Sequence, residues 1–185
     1  MGSVRETINA GIRRFIDAQH VFFVATAPLA ADGHVNMSPK GYGTLRVVDE
    51  RTVAYLDLTG SGVETIAHVR ENGRITLMWC AFEGPPRIVR VSGVGEVRDV
   101  DDERCAGWFA PITGQRAIIV VDVDRVADSC GYSVPLMEYV GERTKLVDWA
   151  EARSPEELDA YRAAKNAASI DGLPGLADVP VRPVR

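Results

Sequence analysis

The sequence is short of several things at once. Its 185 residues include only three cysteines, Cys80, Cys105 and Cys130, far apart and odd in number. That excludes a disulfide framework and the paired spacing of a zinc site, and it points to a reducing cytoplasm. The three histidines, His20, His34 and His68, stand at no ligand spacing, so no metal site is expected and each reads as structural or solvated. Surplus positive charge is missing as well: 21 Lys and Arg against 26 Asp and Glu give a net charge of -5. A dedicated nucleic-acid binder neutralises phosphates with surplus cations, so nucleic acid is not an expected partner. No apolar run approaches the length of a membrane-spanning helix, and residues 1–17 carry charges throughout, unlike a secretory signal. There is no Gly-x-Ser-x-Gly elbow, no Walker loop and no third glycine to complete a dinucleotide fingerprint.

What is present reads as one globular core with an appendage. Apolar residues make up 46% and charged residues 25%, both ordinary. Ile8, Ile12, Phe15 and Ile16 fall at helical spacing, which predicts an amphipathic helix over 4–18. Strands are expected at 20–27, 34–38, 44–48, 52–57, 74–82, 87–97 and 117–123, with Gly93 and Gly95 marking a bend or bulge. Helices are expected at 62–71 and 101–110, the second with Asp101, Asp102 and Glu103 as its acidic first turn. Short strands punctuated by hairpin turns predict an antiparallel barrel over roughly 20–126 rather than a parallel sheet. Beyond it, 129–141 reads as irregular. Ser154-Pro155-Glu156-Glu157 reads as a capped helix start running to about Ala168, and 172–185 as an extended tail. Residues 1–126 are thus expected to be the ligand-binding domain, with 127–185 packing on it or on a partner subunit. Trp79, Trp108 and Trp149 read as core or dimer anchors, and Cys130 as a buried, inert cysteine rather than a reactive thiol.

Two segments carry chemistry. Residues 55–65 run from a strand through Gly60-Ser61-Gly62 into a helix. Ser61 and Glu64 have the spacing of a capping box, and a helix N-terminus offers free N–H donors that suit a phosphate. The second segment, Asn36-Met37-Ser38-Pro39-Lys40-Gly41, ends a strand with a lysine able to pair with a phosphate as a point charge and a serine able to offer a hydroxyl. Each alone reads as a capped helix or a surface turn.

Together, and followed by Glu71-Asn72-Gly73-Arg74-Ile75, they resemble the pyridoxamine 5'-phosphate oxidase superfamily of FMN-binding split barrels. Residues 129–135 and 169–175 resemble an uncharacterised branch of it, which extends the likeness over nearly the whole chain. The resemblance implies a mainly β fold with peripheral helices: an antiparallel, Greek-key split barrel forming a homodimer, with FMN between the subunits. It implies that Lys40 reaches the cofactor phosphate, that Leu56 and Asp57 pass the flavin, and that Ser61 opens the phosphate helix. Met37, Ser38, Pro39, Gly41, Gly62 and Thr65 complete the expected contacts. In the true oxidases Arg and Lys follow the serine; here Gly62 and Val63 stand there, and Asn36 replaces a further arginine. Arg87 and Arg90, on a neighbouring strand, are candidates to supply the missing charge. Charge-assisted bonds are worth about 1.5–3 kcal/mol each, so weaker FMN binding is expected. No pyridoxal-phosphate signature is recognisable and no catalytic residue is assigned. The expected function is a flavin-dependent oxidoreductase acting on a small molecule. The alternative is a non-catalytic carrier or sensor binding FMN, deazaflavin or haem.

Overall fold

The computed structural model describes residues 2–176. Eight strands and four helices follow one another as β1 (Ser3–Arg5), α1 (Ala10–Asp17), β2 (Phe22–Thr26), β3 (Asn36–Lys40), β4 (Leu45–Val47), β5 (Thr52–Leu58), α2 (Glu64–Asn72), β6 (Arg74–Cys80), β7 (Ile88–Arg98), β8 (Gln115–Ser129), α3 (Lys145–Glu151) and α4 (Pro155–Lys165). Every strand pairing is antiparallel. The sheet order is β3-β2-β6-β7-β8-β5-β4, with β1 added along β8. The two end strands, β3 and β4, are consecutive in sequence and joined only by residues 41–44, so the two ends of the sheet are drawn together. The sheet is thereby bent into a half-barrel whose split lies between β3 and β4. The connecting turn needs two left-handed residues in a row, Tyr42 (φ 60°) and Gly43 (φ 59°).

β5 shows why a small barrel needs its appendages. Val53 and Tyr55 face the main core with Val24, Leu77, Trp79, Val91 and Ile119, while Ala54 and Leu56 face a second cluster with Cys105 and Ile118. A strand buried on both faces reads as a continuous apolar run rather than an alternation, as this one does. β8 is the spine: its first half pairs with β5, its last part with β1, and β7 follows it from Ile118 to Ser129. The expected bulge is present between Ser92 and Gly93, where a Cβ on Gly93 would collide with the Asp122 carbonyl.

Several expectations need correction. The helix expected over 4–18 starts only at Ala10, capped by the Asn9 side chain, because Ser3–Arg5 pairs with β8 instead. The helix expected at 101–110 is a single 3-10 turn, Glu103–Cys105, capped by Asp102. Gly107 (φ 78°) stands in a backbone conformation a helix does not use. β8 runs eight residues further than the clear apolar stretch at each end combined, because its polar outer residues still pair. α3 is absent from the expected elements; its seven residues follow an irregular span and carry no side-chain bond at the N-cap. The Ser154 capping box is formed, with Glu157 N donating to Ser154 Oγ (3.3 Å) and Ser154 N donating to Glu157 Oε2 (2.8 Å). After α4 the chain folds back, Leu176 N donating to Asn166 O (2.8 Å), instead of extending; residues 177–185 of the expected tail lie outside the described residues. Cys130 is exposed, not buried.

Candidate functional site

The split opens into a cleft of about 270 Å³ between β3, the 41–44 turn, the end of β5 and the start of α2. At its floor the Asp57 carboxylate, 1% exposed, accepts from Lys40 Nζ on Oδ1 (2.9 Å) and from Arg116 Nε on Oδ2 (2.7 Å). Burial alone raises the pKa of Asp57, but the two cations and their hydrogen bonds outweigh it and hold the carboxyl below its ordinary value. Arg116 also donates to Asn166 Oδ1 (2.8 Å) and to the Gly62 carbonyl (3.0 Å). Above this cluster α2 begins with no side-chain cap, so its first N–H groups carry no side-chain hydrogen bond. The Glu64 carboxylate folds back over Gly62 and also lines the cleft.

A polar chain leads from the cleft inward. Asn36 Nδ2 donates to Thr65 Oγ1 (2.9 Å) and Thr26 Oγ1 (3.1 Å), and Thr26 Oγ1 meets His68 Nδ1 (3.0 Å). His68 is fully buried, and burial lowers its pKa against the pull of nearby carboxylates, so it is neutral at pH 7. Its role is structural: it ties α2 to β2.

Of the residues singled out in the sequence, Ser38, Pro39, Lys40, Gly41, Leu56, Gly62 and Thr65 all line this cleft, and Asp57 lies directly beneath it. Ser38 Oγ is buried there with no hydrogen-bond partner. Four residues fall elsewhere. Met37 points to the opposite face of β3, 64% exposed, as strand alternation dictates. Ser61 is exposed and caps nothing, because the helix starts at Glu64 with Val63 in the cap position. Arg87 pairs with Asp128 (2.6 Å) and lies over the Phe15 ring, and Arg90 reaches only Ser129 Oγ (3.4 Å); neither lines the cleft.

The sequence model for pyridoxamine 5'-phosphate oxidase matches residues 8–130. The chain belongs to the pyridoxamine 5'-phosphate oxidase family. The family protein ustO of Aspergillus flavus is 38% identical over 191 residues, spanning 92% of this chain and 76% of that protein. Among solved structures, a HupZ variant from Group A Streptococcus aligns with a TM-score of 0.51 at 22% identity, over 66% of this chain and 99% of that one. A Lactobacillus delbrueckii protein described as a candidate pyridoxamine 5'-phosphate oxidase aligns at 0.51 and 18%, over 66% and 94%. These likenesses show the split-barrel fold.

The family match ends at residue 130, yet the cleft does not. Leu146 of α3 lines it, and Asn166 after α4 bonds its arginine. Arg116 and Asn166 are the residues that sequence reading missed. The available signal was a charged residue, Arg116, directly before the apolar run of β8, at the level where β8 pairs with the Asp57 end of β5.

Proposed function

We propose that the cleft binds FMN, with the phosphate at Lys40, Arg116 and the open end of α2, and that the protein is a flavin-dependent oxidoreductase acting on a small molecule. The observation that carries this is the buried Asp57 carboxylate presenting two cations beneath an uncapped helix N-terminus. The residues present fit such a group. Ser38 Oγ is an orphaned hydroxyl in the wall, and Gly60 and Gly62 keep the backbone bare of side chains beside the phosphate end. Bound flavin supplies the redox chemistry. The chain's own residues bind and orient: Asp57 keeps Lys40 and Arg116 in place, Arg116 and Lys40 hold the phosphate, and Leu56, Leu58 and Leu146 exclude water along the apolar side. Lys40 and Arg116 are offset by Asp57 and Glu64, so the local formal charge is zero and the grip on a phosphate is weaker than in a site with free cations.

At about 270 Å³ the cleft falls just short of the range of about 300–1,000 Å³ typical for ligands of this size. A second wall is needed, and a homodimer supplies it. Tyr132, Leu136, Met137 and Val140 form an exposed apolar strap suited to that contact. The direct test is titration of the purified protein with FMN followed by flavin fluorescence, with light scattering for mass. No binding at tens of micromolar FMN refutes the cofactor, and a monomeric mass with FMN bound refutes the dimeric site.

A second reading, a cofactor carrier without turnover, is favoured by one feature: no histidine or cysteine lines the cleft to move protons near neutral pH. Steady-state reduction by a nicotinamide nucleotide separates enzyme from carrier, and competition in one fluorescence titration separates FMN from deazaflavin.

A further inference from the structure

We infer that Asn166, outside the family domain, is a positioning residue that aims Arg116 into the cleft, and that this pair makes the site prefer phosphorylated over unphosphorylated ligands. The inference rests on the flavin reading only for the identity of the ligand.

Asn166 is fully buried, and an amide in that setting persists only if its polar atoms are satisfied. Both are. Nδ2 donates to the Gly60 carbonyl (3.0 Å) and Oδ1 accepts from Arg116 Nη1 (2.8 Å). Only one amide orientation suits both partners, since a carbonyl needs a donor and a guanidinium needs an acceptor. The backbone of Asn166 is held as well: its N–H donates to Arg162 O (2.7 Å) and its carbonyl accepts from Leu176 N (2.8 Å). α4 is anchored a turn earlier, where Arg162 donates to Thr59 Oγ1 (3.0 Å) and Gln115 O (2.9 Å). The appendage therefore straps together the end of β5 and the start of β8, the two strand ends that flank the cleft.

The consequence falls on Arg116. Asp57 holds its Nε, Asn166 its Nη1 and Gly62 its Nη2. A guanidinium has five N–H donors, and these three bonds leave two for a ligand in the cleft that Arg116 lines. A long side chain locked this way loses little freedom when an anion arrives. Arg116 thus stands in for the cations absent at Gly62 and Val63, and it does so only while Asn166 holds one edge of the guanidinium.

The readout is the ratio of riboflavin to FMN dissociation constants, which isolates the phosphate. Asn166→Asp keeps the acceptor but neutralises Arg116 and withdraws the donor from the Gly60 carbonyl; Asn166→Ala removes acceptor and donor together. Both are expected to cut the ratio at least tenfold while riboflavin affinity stays within about threefold, and Arg116→Gln is expected to match them without further loss in the double variant. An unchanged ratio in a folded Asn166 variant overturns the inference and leaves the flavin reading intact. If the wild type binds neither flavin, the flavin reading fails, and thermal shift with millimolar pyrophosphate decides the inference. Stabilisation of the wild type that Asn166→Ala abolishes supports it. No stabilisation, or an equal shift in the variant, overturns it.

Discussion

Asp57→Asn is the most informative single substitution, because stability and ligand affinity are expected to move in opposite directions. The carboxylate is 1% exposed and bonds Lys40 (2.9 Å) and Arg116 (2.7 Å). Removing one partner of a buried pair costs about 3–5 kcal/mol, because the other charge is left uncompensated. Lys40, with its side chain 22% exposed, can turn to water; Arg116, at 5%, cannot. An asparagine still accepts one bond, so the lower end applies, about 3 kcal/mol. For a domain of this size that lowers Tm by about 6–12 °C. The pH dependence has a definite sign. The folded-state pKa of Asp57 lies below its ordinary value, so its contribution is present above the unfolded pKa of about 3.9 and is lost as pH falls through the folded value. The gap between wild type and variant therefore narrows on acidification below about pH 4. At the cleft the asparagine oxygen still holds Arg116 in place while the local formal charge rises from zero to one positive, so FMN should bind about tenfold tighter at temperatures where both proteins are folded. Calorimetry and a fluorescence titration read the two effects. A Tm within about 1 °C of wild type at pH 7, or weaker FMN binding by a folded variant, would refute the picture of a carboxylate that restrains two cations.

Glu64→Gln removes the carboxylate that folds over Gly62 at the start of α2, and FMN affinity should rise about tenfold with little change in Tm, read by the same titration. Ser154→Ala removes the cap bond to Glu157 N and should lower stability in urea by about 1 kcal/mol, with cleft affinity reduced because Asn166 directly follows α4. His34 Nδ1 and N both bond the Asp171 carboxylate (2.7 and 2.8 Å), and this hydrogen bond, then the charge, raises the His34 pKa above 6.5. The latch is therefore complete below about pH 6.5 and weakens as pH rises through the folded value, so amide exchange at residues 169–172 should accelerate between pH 6 and 8 beyond its intrinsic rise. The same acceleration in His34→Ala would remove His34 as the cause.

The strands were legible because alternation survives wherever one face is buried, as in β6, where Ile75, Leu77 and Trp79 point inward. The helix over 62–71 was legible although its start carries no side-chain cap, but the spacing of a capping box is not a reliable guide to where a helix begins. Ser61-Gly62-Val63-Glu64 and Ser154-Pro155-Glu156-Glu157 share the same spacing, yet only the second forms a capping box. Proline at the first helical position commits the chain at Ser154. At Ser61 the flexible Gly62 does not, so Glu64 becomes the first helical residue and its carboxylate turns to Gly62 and Ile170 N (3.4 Å). The 101–110 segment had helical composition but its glycine adopts a left-handed conformation, and α3 lacks the local signals that would announce it.

The site was half legible for a related reason. Lys40, Ser38, Gly62 and Thr65 lie within two short segments whose order is itself a signature, and the structure brings them to one cleft. Arg116 is 59 residues from Asp57 and Asn166 is 50 from Arg116, so neither pairing leaves any trace in local spacing. Arg87 and Arg90, on the strand expected to line the cleft and supply the missing positive charge, are instead engaged by Asp128 and Ser129. A barrel with Gly62 and Val63 after Ser61 has no need to find positive charge nearby in sequence. It needs a cation on whichever strand crosses the same end of the split, and β8 is that strand. A buried arginine there requires a carboxylate and neutral acceptors around it. Asp57, Gly62 and Asn166 are those acceptors, and one of them comes from beyond the family domain.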